Sequence, residues 1–227
     1  MTGAQIPAGR LDSDARRNFV NAVTLATMDI SGVYVVFGNR IILGSRAKKY
    51  NERDLDAFRS FNIEDIGEIG ISIKLKPYRR PRHTKEFTAQ PGFDNNITVF
   101  TLIPGFDGKY IDNAIDAGAK GLIIRAYGSG DIPYPLLPQL ENARNHKVPV
   151  LVTTQCPQGV TQMGINDVGL QALKKGVIPV FDMSMESMST KLRWLIGKKT
   201  PYEEMKNAIH KNLAGEIETL EEYVNIV

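Results

Sequence analysis

The chain has 227 residues, 42% hydrophobic, 8% aromatic and 23% charged, with a formal net charge of +3. That is ordinary globular composition, which excludes a fibrous or intrinsically disordered chain, and no run of about 18 apolar residues offers a transmembrane helix. A single cysteine, Cys156, excludes an internal disulfide and a cysteine-based metal cluster, and the first residues lack a basic segment followed by an apolar one, so no signal peptide is read there. A reducing, cytoplasmic setting is the expected compartment.

Ser13 to Ala26 reads as an amphipathic helix, with Phe19, Val23 and Ala26 at helical spacing and Ser13 or Asp12 as its cap. Val33 to Phe37 is a short apolar run of the kind that suits a strand buried on both faces. Gly38-Asn39-Arg40 is a turn signal, and Arg40 to Leu43 a second strand that can close a hairpin. Lys48-Lys49 then falls in a loop. Lys74, Lys76, Arg79, Arg80, Arg82 and Lys85 form a basic run with no acid among them, interrupted by Pro77 and Pro81. Without these six the chain is slightly acidic, and the run reads as a solvated linker rather than a nucleic-acid patch.

Beyond the run, strand and helix alternate regularly. Strands are expected at Ile97–Leu102, Gly121–Ala126, Val148–Thr153 and Val177–Phe181. Helices are expected at Lys109–Ala117, Leu136–Asn145, Asp167–Lys175, Met185–Ile196 and Pro201–Asn212, the last with Pro201 near its first turn. Four strands, each followed by a helix, argue for an α/β unit built on a parallel sheet covered on both faces. The expected division is residues 1–76, a linker over 77–96, and an α/β domain over 97–227. Residues 1–76 open on a turn instead of a strand and supply one helix and two strands, thin cover for a sheet. The N-terminal domain is therefore expected to be incomplete, its core finished by a segment upstream or by another chain.

Candidate chemistry is sparse. Ala126-Tyr127-Gly128-Ser129-Gly130-Asp131 follows a strand, where open α/β sheets place ligand loops. It has only Gly-x-Gly, and reads as a strand-exit turn presenting Asp131. Cys156, at the end of another strand, has no basic sequence neighbour to lower its pKa and reads as a small buried thiol. His83, His146 and His210 share no metal-ligand spacing and read as surface residues. Asp182-Met183-Ser184-Met185-Glu186 reads as an acidic, serine-capped helix start. Lys49 gains a chemical role only if its surroundings tune it.

As an ordered set, these segments resemble the bacterial L-asparaginase family, most closely its cytosolic type I branch. The matching stretches are Thr2-Gly3-Ala4-Gln5-Ile6-Pro7, Ser13-Asp14-Ala15-Arg16-Arg17-Asn18, and Lys49 with Asp56-Ala57-Phe58-Arg59-Ser60-Phe61-Asn62. They continue through Ala119-Lys120-Gly121-Leu122-Ile123-Ile124, Tyr127-Gly128-Ser129-Gly130-Asp131-Ile132-Pro133, Thr154-Gln155-Cys156, and Asp182-Met183-Ser184 with Glu186 and Lys191-Leu192. The resemblance implies a two-domain, parallel-sheet asparaginase-like α/β fold with its N-terminal domain incomplete. It implies hydrolysis of the side-chain amide of asparagine to aspartate and ammonia by a threonine nucleophile, with a second threonine, an aspartate and a lysine as proton relay. Lys49 matches the catalytic lysine. Ala4 matches a substrate-binding position whose backbone carbonyl lies close to the bound amide. Asp131 matches a substrate-site asparagine that works across a dimer contact. Arg125 and Cys156 match a second, regulatory amino-acid site.

The resemblance further implies no cofactor and no metal, a homodimer or tetramer, asparagine or aspartate as small-molecule partner, and no membrane or nucleic-acid partner. The family's nucleophile motif Thr-Gly-Gly-Thr and its Thr-Asp pair do not occur in these 227 residues, so the isolated chain is expected to be inactive. The alternatives are the asparaginase-like subunit of a glutamyl-tRNA amidotransferase, or a non-catalytic amino-acid-binding or dimerisation module.

Overall fold

The computed structural model describes residues 1–77, 79–83, 86 and 88–218. The chain divides into two compact units, Met1–Ala89 and Gln90–Val227.

In the first unit, helix α1 (Ala15–Thr27) precedes strands β1 (Tyr34–Phe37), β2 (Arg40–Leu43), β3 (Ala47–Lys49), β4 (Phe58–Ser60), β5 (Gly67–Ile69) and β6 (Ile73–Leu75). β1, β2, β5 and β6 form a four-stranded sheet in that order, antiparallel throughout, and β3 and β4 form a separate antiparallel ribbon. The hairpin reading of Arg40–Leu43 holds, with Phe37 opposite Arg40. The expected strand at Val33–Phe37 forms over Tyr34–Phe37 and pairs antiparallel, with Val33 exposed: a continuous apolar run signals burial and does not encode strand direction. Lys48-Lys49 is strand rather than loop; three-residue strands are too short to show an alternating pattern.

The sheet packs on α1 through Leu25, Ile30, Tyr34, Val36, Ile41, Ile66 and Ile69. The helix turns a different face inward from the one its apolar spacing suggests. Asp14, Asn18 and Leu25 are buried, whereas Phe19 and Val23 are 64% and 49% exposed. The N-cap position is Asp14, whose side chain makes no capping bond. Ser13 instead accepts from Ala15 N at 3.1 Å.

The basic run is less detached than a solvated linker. Lys74 belongs to β6 and pairs with Glu68, and Lys76 pairs with Glu64. Arg82 donates to Met28 O and Ala26 O at the end of α1, where unsatisfied carbonyls favour a cation. Lys85 lies outside the described residues.

The second unit holds β7 (Ile97–Thr101), α2 (Lys109–Asp116), β8 (Gly121–Ala126), α3 (Leu137–Asn145), β9 (Val150–Thr154), α4 (Asp167–Lys174), β10 (Ile178–Pro179), α5 (Met185–Gly197) and α6 (Tyr202–His210). Its sheet is parallel in the order β10-β9-β8-β7. Neighbours in sequence are neighbours in space, so three crossovers of one handedness deliver α2, α3 and α4 to the same face. Leu122, Ile124, Val150 and Val152 pack on that side. Ile123 and Leu151, with the opposite pleat, meet Met188, Leu192, Leu195, Met205 and Ile209 of α5 and α6. The sheet is thus covered on both faces, as the strand–helix alternation predicts.

Ser184 caps α5, accepting from Ser187 N at 3.1 Å. A buried ion pair ties α5 to the loop after α6. Lys191 Nζ donates to Glu216 Oε1 at 2.5 Å and to Ile209 O at 2.7 Å, and both side chains are 5% exposed. Glu216 also accepts from Ala214 N at 2.6 Å and Leu213 N at 3.2 Å. Burial pushes the Glu216 carboxyl up, but the Lys191 ammonium and the N–H groups of Ala214 and of Glu216 itself outweigh it and hold the group below the usual carboxylate range.

Candidate active site

The site in the first unit is built around Gly3 to Ile6. Four side-chain contacts from the start of α1 fix the backbone of this segment. Asn18 Nδ2 donates to Gly3 O at 3.0 Å, and the Asp14 carboxylate accepts from Gln5 N at 3.0 Å and Ile6 N at 3.1 Å. Ser13 Oγ donates to Ile6 O at 2.7 Å. Asp14 and Asn18 are themselves bonded at 2.8 Å, and Asn18 Oδ1 accepts from Gly38 N at 3.2 Å in the β1–β2 turn. Burial pushes the Asp14 carboxyl up; the N–H groups of Ile6 and Gln5 and the Asn18 amide hold it below the ordinary aspartate range.

Gln5 carries this order outward. Its Oε1 accepts from Lys49 Nζ at 2.8 Å, while its Nε2 donates to Glu52 O at 2.9 Å and Asp54 O at 3.0 Å in the loop between β3 and β4. Lys49 is exposed, lies 5.7 Å from the Phe58 ring centroid and meets a neutral amide. Its ammonium has three donors, of which one is used among the described residues, on Gln5. Arg40 steadies the ribbon from β2. It grips Asp56 with two nitrogens at 2.7 and 3.1 Å, and Asp65 at 2.6 Å. The Arg40 guanidinium holds the Asp56 carboxyl below its usual range. Ala4 is exposed, and its carbonyl has no hydrogen-bond partner among the described residues.

Asp131, Arg125 and Cys156 lie in the second unit. Asp131 ends the turn that leaves β8, with Tyr127 and Asp131 bridged, and accepts from Asn166 Nδ2 at 2.9 Å. Asn166 caps α4, so a helix start holds Asp131. Arg125 sits in β8 opposite Thr153. Gln155 Nε2 donates to Arg125 O at 3.0 Å and Leu102 O at 2.7 Å, tying the exits of β7, β8 and β9 together beside Cys156. Thr154 Oγ1 donates to Gly128 O and accepts from Cys156 N at 3.0 Å. Cys156 is exposed, contrary to the buried-thiol reading: it lies past the end of β9, where the chain leaves the core. His210 is half-buried, not superficial, with Nε2 2.7 Å from Pro179 O and its ring 4.9 Å from Phe181. His83 and His146 are exposed.

Gln5, Asp14 and Asn18 are the site residues to which sequence reasoning gives no role. Their signal was present: two polar residues four apart, on the helix face that carries Leu25 inward. A cleft of about 960 Å³ in the first unit, lined by Arg17, Arg40, Asp54, Asp56, Asp65 and Glu68 among others, contains neither Ala4 nor Lys49. Among the described residues no group of three or more His, Cys, Asp or Glu is placed to hold a metal ion, and no helix is long and apolar enough to cross a membrane.

Comparison with known proteins places this geometry. The model for the asparaginase N-terminal domain matches residues 1–81, and that for the glutaminase/asparaginase C-terminal domain matches residues 96–209. The chain belongs to the asparaginase family. It is 34% identical over 220 residues to an L-asparaginase of Thermococcus kodakarensis, covering 96% of this chain and 66% of that protein. The solved structure of the thermostable L-asparaginase from that organism superposes with a TM-score of 0.89. L-asparaginase 1 of Escherichia coli is 34% identical, with 96% of this chain and 65% of that protein covered. A glutamyl-tRNA(Gln) amidotransferase subunit of Pyrococcus abyssi is 32% identical, with 96% and 52% covered. The chain thus spans about two thirds of the length of these asparaginases and about half of the amidotransferase polypeptide.

Proposed function

We propose that this chain carries the lysine side of an asparaginase-type active site and takes part in hydrolysis of L-asparagine to L-aspartate and ammonia in the cytoplasm, as a homo-oligomer. The contact between Gln5 and Lys49 carries this reading. Two segments that resemble asparaginase motifs, 44 residues apart in sequence, meet there at 2.8 Å. In this reading Lys49 holds the hydroxyl of the second threonine of the relay and, as the neutral amine, accepts that hydroxyl's proton to become the ammonium. Ala4 offers its carbonyl to the substrate, Asp131 joins the substrate site across a dimer contact, and Arg125 and Cys156 serve the regulatory amino-acid site.

The family's threonine nucleophile is to come from a polypeptide bearing Thr-Gly-Gly-Thr and Thr-Asp segments. The test mixes the 227-residue chain with such a segment from a relative and measures ammonia release. The expected result is release that falls about a hundredfold or more with Lys49→Met, and none from the 227 residues alone. Release indifferent to Lys49→Met, or release by these residues alone, overturns the reading.

The likeness to an amidotransferase polypeptide supplies a second reading, in which the chain serves a tRNA-dependent enzyme. Lys74, Lys76 and Arg82 of the basic run are spent on Glu68, Glu64 and the end of α1, which favours the first. Recovery of tRNA with the purified protein would favour the second.

A further inference from the structure

We infer that Asp14 and Asn18 are positioning residues for this site: together they set the backbone of Gly3 to Ile6 so that the Ala4 carbonyl stays open and Gln5 reaches Lys49. The inference rests on the amidohydrolase reading above for its purpose, and on geometry for its substance.

Of the backbone groups of the segment, Gly3 O, Gln5 N, Ile6 N and Ile6 O are taken by side chains of residues 13–18, whereas Ala4 O, like Gly3 N, Ala4 N and Gln5 O, makes no hydrogen bond among the described residues. A buried carboxylate and a buried amide are costly to place unless their hydrogen bonds are made. Here they are made almost entirely to this segment. Asp14 is 5% exposed and receives Gln5 N, Ile6 N and Asn18; Asn18 is fully buried and spans Gly3 O and Gly38 N. An apolar pair at these two positions would leave Gly3 O, Gln5 N, Ile6 N and Gly38 N without these partners. The arrangement therefore fixes chain geometry at one place. Gln5 transmits it: with its N–H held by Asp14, its side chain is aimed at Lys49 Nζ and at the carbonyls of Glu52 and Asp54. Neither Asp14 nor Asn18 bonds Lys49 directly, so any effect on Lys49 passes through Gln5.

The experiment uses the full 227-residue chain and two readouts that need no turnover: hydrogen exchange at the Gln5 and Ile6 amides, and the rate of amine labelling at Lys49 relative to Lys48. Asp14→Ala and Asn18→Ala are compared with Leu25→Ala, which removes a buried α1 side chain that makes none of these bonds and controls for destabilisation alone. Asp14→Ala removes charge-assisted bonds from two amides. It should speed their exchange about ten- to hundredfold and raise the Lys49-to-Lys48 labelling ratio severalfold. Asp14→Asn keeps an acceptor oxygen and should return most of the protection. Leu25→Ala should leave the ratio unchanged. A ratio unmoved by Asp14→Ala, or moved equally by Leu25→Ala, overturns the inference. If exchange and labelling respond while the nucleophile-supplemented mixture releases no ammonia, the amidohydrolase reading fails and the positioning role stands.

Discussion

Replacing Lys191 by methionine should destabilise the second unit by about 3–5 kcal/mol at neutral pH, the usual cost of stripping one partner from a buried ion pair. The structure explains why the cost should be high. The ammonium sits 2.5 Å from Glu216 Oε1 and also serves Ile209 O and Lys211 O, so its loss leaves one carboxylate and two carbonyls short of a donor. Among the described residues Glu216 keeps backbone N–H donors, those of Leu213 and Ala214 included. The chain's single tryptophan, Trp194, lies three residues along the same helix, so urea unfolding followed by its fluorescence reads this unit directly. The pH dependence has a definite sign. In the wild type the Glu216 carboxyl is held below its ordinary range, so its contribution is present above that range and is lost as pH falls. In Lys191→Met the same carboxyl is buried without its cation and takes up a proton more readily folded than unfolded. The gap between variant and wild type should therefore narrow as pH falls toward about 4. Adding Glu216→Gln to the variant should recover part of the loss, with a coupling energy of about 2 kcal/mol or more. A cost under about 1 kcal/mol, or one independent of pH between about 4 and 7, refutes the reasoning.

Two further predictions test other parts of the structure. Gly169→Ala in α4 would drive a methyl group into Met163 O, a backbone atom with little room to retreat, and should cost about 1–3 kcal/mol or more by the same fluorescence assay. Asp14, held below the ordinary aspartate range by Ile6, Gln5 and Asn18 against its burial, contributes stability that is present above that range and is lost as pH falls through its folded value. Protection of the Gln5 and Ile6 amides, measured against the intrinsic exchange rate at each pH, should therefore fall on acidification below about pH 4; a flat profile would deny the carboxylate its part.

How much was legible in the sequence differs sharply between the units. In the second, β8 and β9 are buried at every residue but Arg125, and α2 and α3 run eight residues or more, so hydrophobic runs and periodicity located the strands and α-helices described there. In the first, β3 to β6 have three residues each, too few for any period, and α1 misled because its inward face is polar where Asp14 and Asn18 sit. Lys49, Ala4, Asp131, Arg125 and Cys156 came from resemblance rather than from local chemistry. What the pattern missed is the machinery around them: Gln5, Asp14, Asn18 and Gln155 act through hydrogen bonds to backbone groups distant in sequence, and those contacts leave no periodic trace.

The clamp on residues 3–6 also has an order of assembly written into it. Its inner bonds, from Asp14 to Gln5 and Ile6, close loops of nine residues or fewer, whereas Gln5 to Lys49 closes one of 44. The entropy of the longer closure exceeds that of the shorter by about 1.4 kcal/mol, and it waits on pairing of the β3–β4 ribbon. The inner half should form with α1, early, and the Lys49 contact late. Lys49 reactivity is therefore a clock for the final stage of folding, and the residue proposed to bear the chemistry is among the last to reach its place.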